Sequence, residues 1–319
     1  MKKWLLMLLL TSASSQAVEQ EVKEISSGRL LLKEGEMAVG IGPAPAKIER
    51  VLIIIHGRLR NAETYRRNAE RAAQQAGQDA NTLVIAPQFL SESDVALHPV
   101  ADTVLRWQGN DWMAGGLSVA PFALSSYAAL DQIITRLADR RQFPDVKDVV
   151  IAGHSGGAQV VQRYALLSHD QPELQAAGVH LRYVIANPSS YAYFDERRPV
   201  AFSHAGCPDY NRWKYGLADL PGYAEGQTPA QLEENYVQRD IVYLLGQQDI
   251  DPNHPALDKG CEARAQGANR LARGRNYFEY LKRRHPQGLN QQLIEVPGVG
   301  HDGGEMLMSP QGQKAVFGQ

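Results

Sequence analysis

The pentapeptide Gly153-His154-Ser155-Gly156-Gly157 matches the pattern Gly-x-Ser-x-Gly, which is typical of a nucleophilic serine. A β-branched run leads directly into it and helical spacing begins directly after it, so the motif lies on a strand–turn–helix junction. A turn this sharp strains the serine backbone, and its neighbours must lack side chains because the helix passes close by. We predict that Ser155 is a nucleophile; the alternative is an ordinary serine at a glycine-rich strand end.

A serine hydroxyl needs a base that removes its proton before it can attack a carbonyl carbon. His301 lies in the sequence Val299-Gly300-His301-Asp302-Gly303, on a loop just past the last predicted strand. We predict His301 as this base. Other histidines fall on loops or helix edges, where we expect them to be solvated: His98, His169, His180, His204, His254 and His285.

The base in turn needs an acid that fixes its tautomer and stabilises the imidazolium. The predicted strand 241–245 is followed closely by Asp249 and Asp251, and both could face the carboxyl edge of the sheet. Asp251 precedes Pro252, a position where aspartate commonly opens a turn or caps a helix. We therefore predict Asp249 as the acid and keep Asp251 as the alternative.

An acyl-transfer site also needs two backbone N–H donors for the oxyanion, each worth about 10² to 10³ in rate. Gly156, directly after the serine, supplies the first. The second is expected after the predicted strand 51–56, where Gly57 lets the chain turn so that the N–H of Arg58 points inward. A plain strand-end turn is the alternative, and we expect His56 to be structural.

Six short and almost uninterrupted apolar runs indicate strands that are buried on both faces of a parallel sheet. Segments with helical spacing lie between them, which implies right-handed crossovers and a doubly wound α/β fold. A hairpin at 29–32 and 37–41 precedes them. The strands are predicted at 51–56, 82–86, 148–152, 181–186, 241–245 and 292–296, and the helices at 62–76 (capped by Asn61 and ended by Gly77), 127–137, 160–167 and 271–281.

Residues 189–236, here called the aromatic segment, interrupt this alternation, and nine of these 48 residues are Phe, Tyr or Trp. A long stretch without a regular period inside a compact domain is usually a functional loop or lid. We predict a cap-like insertion in which most rings pack onto the sheet and two or three line a substrate pocket. Two arginine-rich helical regions, 58–71 and 264–284, are interpreted as solvated helix faces.

The amino terminus has the pattern of a cleaved secretory signal. Lys2 and Lys3 precede an apolar stretch, and small residues follow up to Ala17. The apolar stretch is too short for a membrane anchor, and no later segment is long enough to span a bilayer. We expect residues 1–17 to be removed, with one domain at 18–319 that starts near Val18 and is secreted or periplasmic.

If the protein is secreted, the two cysteines of the chain, Cys207 and Cys261, are in an oxidising compartment. An even pair in an oxidising compartment predicts one disulfide, and two separate thiols are the alternative. The bond would close a loop whose ends are 54 residues apart, worth roughly 4 kcal/mol in the chain-entropy model.

Charge and motif tests exclude several classes of protein. There are 33 basic and 35 acidic residues, so the basic excess of a nucleic-acid binder is missing. The stretch 298–303 fits a dinucleotide motif, but the chain has no room for the helix, strand and acid that must follow. Residues 249–260 begin like a calcium loop but have His at position six and Gly at position twelve. We expect no nucleic-acid partner, no cofactor and no metal.

The order Ser155, Asp249, His301, with His56-Gly57 upstream, resembles the α/β-hydrolase superfamily, in particular its secreted esterase-like and lipase-like members. The likeness covers nearly the whole mature chain, and the aromatic segment lies where that family commonly inserts a cap. The resemblance implies cleavage of a small or polymeric ester through a serine acyl-enzyme. A peptidase or polyester depolymerase with the same machinery, and a non-catalytic binding protein, are the alternatives. Arg58-Leu59-Arg60 stands where some lipases have an extended glycine-rich motif.

Overall fold

Within residues 22–169 and 171–318, the part of the chain that the computed structural model describes, eleven strands form two sheets. The strands are β1 (Gly28–Leu32), β2 (Gly35–Ile41), β3 (Arg50–Ile55), β4 (Thr82–Gln88), β5 (Leu90–Ser91), β6 (Arg106–Trp107), β7 (Ser118–Ala120), β8 (Asp148–His154), β9 (His180–Ala186), β10 (Asp240–Gly246) and β11 (Gln291–Val296). The helices are α1 (Ala62–Gln75), α2 (Glu92–Leu97), α3 (Ser126–Leu137), α4 (Gly156–Leu167), α5 (Pro172–Ala176), α6 (Pro229–Gln238), α7 (Cys261–Arg264), α8 (Arg270–Arg284), α9 (Gly303–Met308) and α10 (Pro310–Phe317).

The large sheet has eight strands in the order β1-β2-β4-β3-β8-β9-β10-β11. The six strands from β4 to β11 in this order are parallel, and β2 is antiparallel to both of its neighbours, β1 and β4. Each of the six parallel strands lies on a predicted run, and the hairpin is also confirmed. Because parallel strands end at the same edge, the loops after β3, β8, β10 and β11 meet there.

Helices cover both faces of this sheet, so its central strands are buried on both sides. Along β3, Val51, Ile53 and Ile55 pack into the core on the face of α3, α4 and α8. Leu52 and Ile54 pack into the other core, with α1, α9 and α10. This burial on both faces explains the uninterrupted apolar runs. The doubly wound α/β fold is confirmed.

Several elements were not predicted. The short strands β5, β6 and β7 form a second sheet. Each has only two or three residues, which is too few to show the alternation of apolar and polar residues by which a strand is recognised. The short helices α2, α5, α7 and α10 were also not predicted. The predicted cap of α1 is wrong in one respect, because the Asn61 side chain accepts no hydrogen bond from the first turn. Gly77 follows the helix end with φ +64°, as a glycine terminator does.

The aromatic segment follows β9, and its last part is helical in α6. Five of its rings are buried in the structure: Tyr191, Tyr193, Phe194, Tyr210 and Tyr236. Several contact the tyrosines of α8; the Tyr191 and Tyr277 rings, for example, are 4.5 Å apart. For these rings the predicted structural role is confirmed. Tyr193 and Phe202 line a cavity of about 840 Å³ whose walls do not include Ser155, His301 or Asp249. The assignment of this segment as a cap, and the rings that would contact substrate, remain predictions.

A disulfide joins Cys207 to Cys261, which ties the aromatic segment to the start of α7 and confirms the predicted pairing. Among the described residues, no helix combines the length and hydropathy needed to cross a membrane. The predicted signal, residues 1–17, lies outside the described residues.

Candidate active site

The turn between β8 and α4 holds Ser155 in a strained backbone conformation, with φ +58° and ψ −116°. A non-glycine residue in such a region costs about 1–3 kcal/mol and persists only where its surroundings enforce it. A Cβ on Gly153 would lie 2.4 Å from the Gly157 carbonyl, and one on Gly157 would lie 2.1 Å from the Ile55 oxygen. Both glycines are therefore required by close packing, and the predicted sharp turn is confirmed.

A chain of two hydrogen bonds links the side chains of Ser155, His301 and Asp249. The Ser155 Oγ lies 3.0 Å from His301 Nε2, and His301 Nδ1 lies 2.7 Å from Asp249 Oδ2. The three residues come from the loops after β8, β11 and β10, which share the carboxyl edge of the sheet. The structure thus brings together three side chains that lie up to 146 residues apart in sequence.

The second candidate acid, Asp251, lies elsewhere in the same loop. Its side chain is exposed and accepts a hydrogen bond of 2.8 Å from the Asn253 amide, which opens a turn. Asp249, in contrast, has only 2% of its side chain exposed. Of the two aspartates, only Asp249 contacts His301.

Asp249 also contacts Arg270, the first residue of α8, which was not predicted as part of the site. Arg270 Nη1 lies 3.3 Å from Asp249 Oδ1, and its Nε donates to the Ser189 hydroxyl over 3.1 Å. Burial lowers the pKa of Arg270, while the Asp249 carboxylate opposes this shift. A buried carboxylate needs a partner, and here each of its oxygens has one. The interpretation of region 264–284 as a solvated face is therefore wrong for Arg270 and Arg273, which are fully buried. The same interpretation of region 58–71 is wrong for Arg60, which is also fully buried.

Two further imidazoles lie against His301. The rings of His154 and His254 are 4.5 Å and 4.9 Å from it, so the loop residue His254 is only partly exposed and packs against the predicted base. Burial lowers the pKa of His154 far below its usual value, and burial with the nearby Arg270 charge lowers the pKa of His254. Neutral neighbours reduce the repulsion that a protonated His301 would meet.

The two predicted backbone donors, Gly156 and Arg58, lie side by side. A Cβ on Gly156 would be 3.0 Å from the Arg58 nitrogen, so the loop after β3 closely approaches the turn that holds Ser155. Within the described residues, neither of these two N–H groups donates to an acceptor of the protein itself. Both donors are thus available to a bound group.

His56 is buried beneath this loop and acts as part of the structure. Its Nδ1 donates to the Gly57 carbonyl over 2.8 Å, and its Nε2 accepts from the Phe89 amide over 2.9 Å. Since both nitrogens are used by the neutral ring, protonation would break the bond to Phe89. Burial lowers the pKa of His56 to about 4.

This depressed pKa predicts a pH-dependent loss of stability. The unfolded chain protonates His56 near pH 6.5, whereas the folded chain does so near pH 4. The contribution of neutral His56 is therefore complete above pH 6.5 and is lost as the pH falls through this window. Between pH 7.5 and 5 we expect this histidine alone to lower the free energy of unfolding by about 2 kcal/mol.

Urea titrations of wild type and His56→Gln at both pH values measure this contribution. The wild type should lose more stability than the variant, by the amount above. Equal losses in the two proteins would contradict the structural role assigned to the neutral ring.

Comparison with known proteins gives structural matches only. No family model and no curated protein matches the chain. Poly(aspartic acid) hydrolase-1 from Sphingomonas sp. KT-1 superposes with a TM-score of 0.64 at 24% identity, covering 92% of this chain and 99% of that one. A poly(3-hydroxybutyrate) depolymerase from Bordetella parapertussis gives 0.63 and 24%, covering 88% and 86%. These matches and the strand order together show that the chain has the α/β-hydrolase fold.

Proposed function

We propose that the protein is a serine hydrolase that cleaves carboxylic esters through an acyl-enzyme. The observation that carries this proposal is the hydrogen-bonded chain from Ser155 through His301 to Asp249, at the edge of the sheet where the strained serine turn lies. A serine hydroxyl that is hydrogen-bonded to an imidazole, which is itself hydrogen-bonded to a carboxylate, is the arrangement that activates a serine nucleophile.

In the first half of the reaction, Ser155 Oγ attacks the ester carbonyl carbon while His301 Nε2 takes the hydroxyl proton. The carbonyl oxygen becomes an oxyanion, which accepts hydrogen bonds from the amides of Arg58 and Gly156. Asp249 stabilises the imidazolium. The tetrahedral intermediate then collapses, the bond to the alcohol oxygen breaks, and His301 returns its proton to the departing alcohol.

In the second half, His301 removes a proton from a water molecule, and the resulting nucleophile attacks the acyl-serine carbonyl. The same two amides hold the second oxyanion. Its collapse breaks the bond to Ser155 Oγ, which recovers a proton from His301, and the carboxylic acid leaves. The site is then restored without a cofactor or metal.

Two exposed apolar residues directly follow residues of the proposed site in sequence. Leu59 follows the proposed donor Arg58 and Ile250 follows the proposed acid Asp249, and their exposed fractions are 47% and 49%. Such side chains favour an ester with an apolar acyl or alcohol part. A polymeric ester is the second candidate substrate, because one of the two matched structures above is named as a depolymerase of poly(3-hydroxybutyrate), a polyester.

We also propose that residues 1–17 are a secretory signal and that the mature protein acts outside the cytoplasm. The disulfide between Cys207 and Cys261 supports an oxidising compartment, since such bonds are rare in the cytosol.

Substrate profiling tests the proposed reaction. We expect turnover of p-nitrophenyl acetate, butyrate and octanoate, and much slower cleavage of aminoacyl p-nitroanilides. Release of soluble products from poly(3-hydroxybutyrate) particles would extend the substrate class to polymeric esters. Anilide cleavage without ester turnover would contradict an esterase and favour a peptidase, and no turnover of any of these would favour a binding protein.

A further inference from the structure

The loop between β3 and α1 contains a buried arginine, Arg60, at the position where some lipases have a glycine-rich motif. Arg60 has 1% of its side chain exposed, and its backbone has φ +55°, a left-handed conformation that is costly for a residue with a side chain. A buried charge in a strained backbone persists only if its contacts hold it. The contacts of Arg60 therefore show which groups hold the loop in this conformation.

The charge of Arg60 is neutralised by Asp94, a fully buried residue in α2. Arg60 Nε and Nη2 donate to the two oxygens of this carboxylate over 2.5 Å and 3.0 Å. The Ser91 and Val22 amides also donate to it. Burial alone would raise the pKa of Asp94, but the hydrogen bonds from Arg60 and Ser91 outweigh burial and lower it. Asp94 is thus an ionised and rigid anchor.

From this anchor, Arg60 reaches back to the loop. Its third guanidinium nitrogen, Nη1, donates to the Arg58 carbonyl over 3.1 Å, and its own amide donates to the Gly57 carbonyl over 3.0 Å. Gln88 Nε2, at the end of β4, donates to the Arg60 carbonyl over 2.8 Å. The peptide planes on both sides of Arg58 are therefore fixed by hydrogen bonds.

Fixing these planes fixes the direction of the Arg58 N–H. In a trans peptide the N–H and the C=O point in opposite directions, so a Gly57 carbonyl held on one side turns the Arg58 N–H to the other. That N–H has no acceptor within the described part of the protein, and its nitrogen lies beside Gly156.

We propose that the buried Arg60–Asp94 ion pair positions the Arg58 amide as an oxyanion donor. This inference rests on the proposed serine hydrolase function. Arg60 and Asp94 touch no reacting atom and act through Arg58, so they are positioning residues. Arginine is needed because the nitrogens of one planar group donate both to the Asp94 carboxylate and to the Arg58 carbonyl, which a lysine ammonium cannot reproduce in the same geometry.

A merely structural role would give a different result. If the pair only anchored α2 and the chain near Val22, its loss would lower stability but leave the reaction of folded molecules unchanged. A positioning role instead lowers kcat, because the oxyanion forms during the reaction, and changes KM little. It also weakens the binding of an alkyl trifluoromethyl ketone, whose adduct with serine carries an oxyanion.

The test uses Asp94→Asn and Arg60→Lys in the full chain. The control is Asp240→Asn, which removes the carboxylate from the Arg182–Asp240 ion pair (2.8 Å). Asp240 is the first residue of β10, so this pair lies at the amino end of the strand, away from the proposed site at the carboxyl ends. Each variant is assayed with p-nitrophenyl butyrate and the ketone, at a temperature where circular dichroism shows it folded. We expect kcat to fall about tenfold to 10²-fold in the two loop variants, a partial loss of one oxyanion donor. Ketone affinity should fall by the factor seen in kcat/KM, and the control should retain wild-type values.

Arg60→Lys distinguishes an effect on the reaction rate from an effect on stability. It keeps a positive charge beside Asp94 but loses the hydrogen bond to the Arg58 carbonyl. We expect it to be more stable than Asp94→Asn and yet slow. Wild-type kcat and ketone affinity in folded Arg60→Lys would overturn the positioning role. If Ser155→Ala kept its activity, the proposed function itself would be wrong, whereas an essential Ser155 with unaffected loop variants would overturn only this inference.

Discussion

Replacement of Ser155 by alanine is expected to lower kcat for ester hydrolysis by about 10⁴- to 10⁶-fold, which leaves only the rate that binding and the backbone donors supply. The variant has no atom that can form the acyl-enzyme. Its fold should be retained, because alanine keeps the Cβ and removes one partly exposed hydroxyl. Initial rates with p-nitrophenyl butyrate at saturating substrate measure the effect.

A matched variant, Ser155→Gly, separates the strain of the turn from its chemistry. Glycine tolerates φ +58° without the penalty of a side chain, so this variant should be as inactive as Ser155→Ala and about 1 kcal/mol more stable. Thermal unfolding of the two variants measures the difference. Residual activity above about 1% of wild type in either variant, once contaminating enzyme is excluded, would remove Ser155 from the mechanism.

Replacement of Asp249 by asparagine is expected to lower kcat by about 10³- to 10⁴-fold. Asparagine cannot stabilise an imidazolium, and its amide can bind the wrong tautomer of His301. The change also leaves the Arg270 cation buried without its carboxylate, so we expect a loss of about 3–5 kcal/mol in stability. Rates must therefore be measured at a temperature where the variant is folded.

Asp251→Asn is the matched control in the same loop. Because Asp251 is exposed and only opens a turn at Asn253, its replacement should change kcat less than about twofold and stability by less than about 0.5 kcal/mol. If the Asp251 variant lost turnover while the Asp249 variant kept it, the identity of the acid would be wrong.

Much of this arrangement could be predicted from the sequence, because its signals are local. Strands buried on both faces leave uninterrupted apolar runs, and all six parallel strands were found on that basis. The turn at Ser155 leaves glycines where close packing forbids a side chain. Pro252 distinguished Asp251 from Asp249, since its presence indicated a turn, and only Asp249 contacts His301 in the structure. The catalytic roles of these residues remain predictions.

The groups that hold the site in place could not be predicted, because they depend on contacts between distant residues. Arg270 lies in a region rich in arginine that has the composition of a solvated face, and only the fold shows that it is buried against Asp249. Arg60 and Asp94 are 34 residues apart, and the strand β5 that precedes Asp94 has only two residues, too few to show a period. The absence of a glycine-rich motif after Gly57 was the one local signal that side-chain contacts, and not glycines, hold the conformation of this loop.

The most direct test of the central claim is to trap the nucleophile with a fluorophosphonate and locate the adduct by tandem mass spectrometry. We expect one adduct, on the peptide that contains Ser155, formed at a rate that falls steeply in His301→Gln and little in Asp251→Asn. An adduct on another residue would contradict the account. The same holds if wild-type protein resists the probe, or if His301→Gln is labelled as fast as wild type.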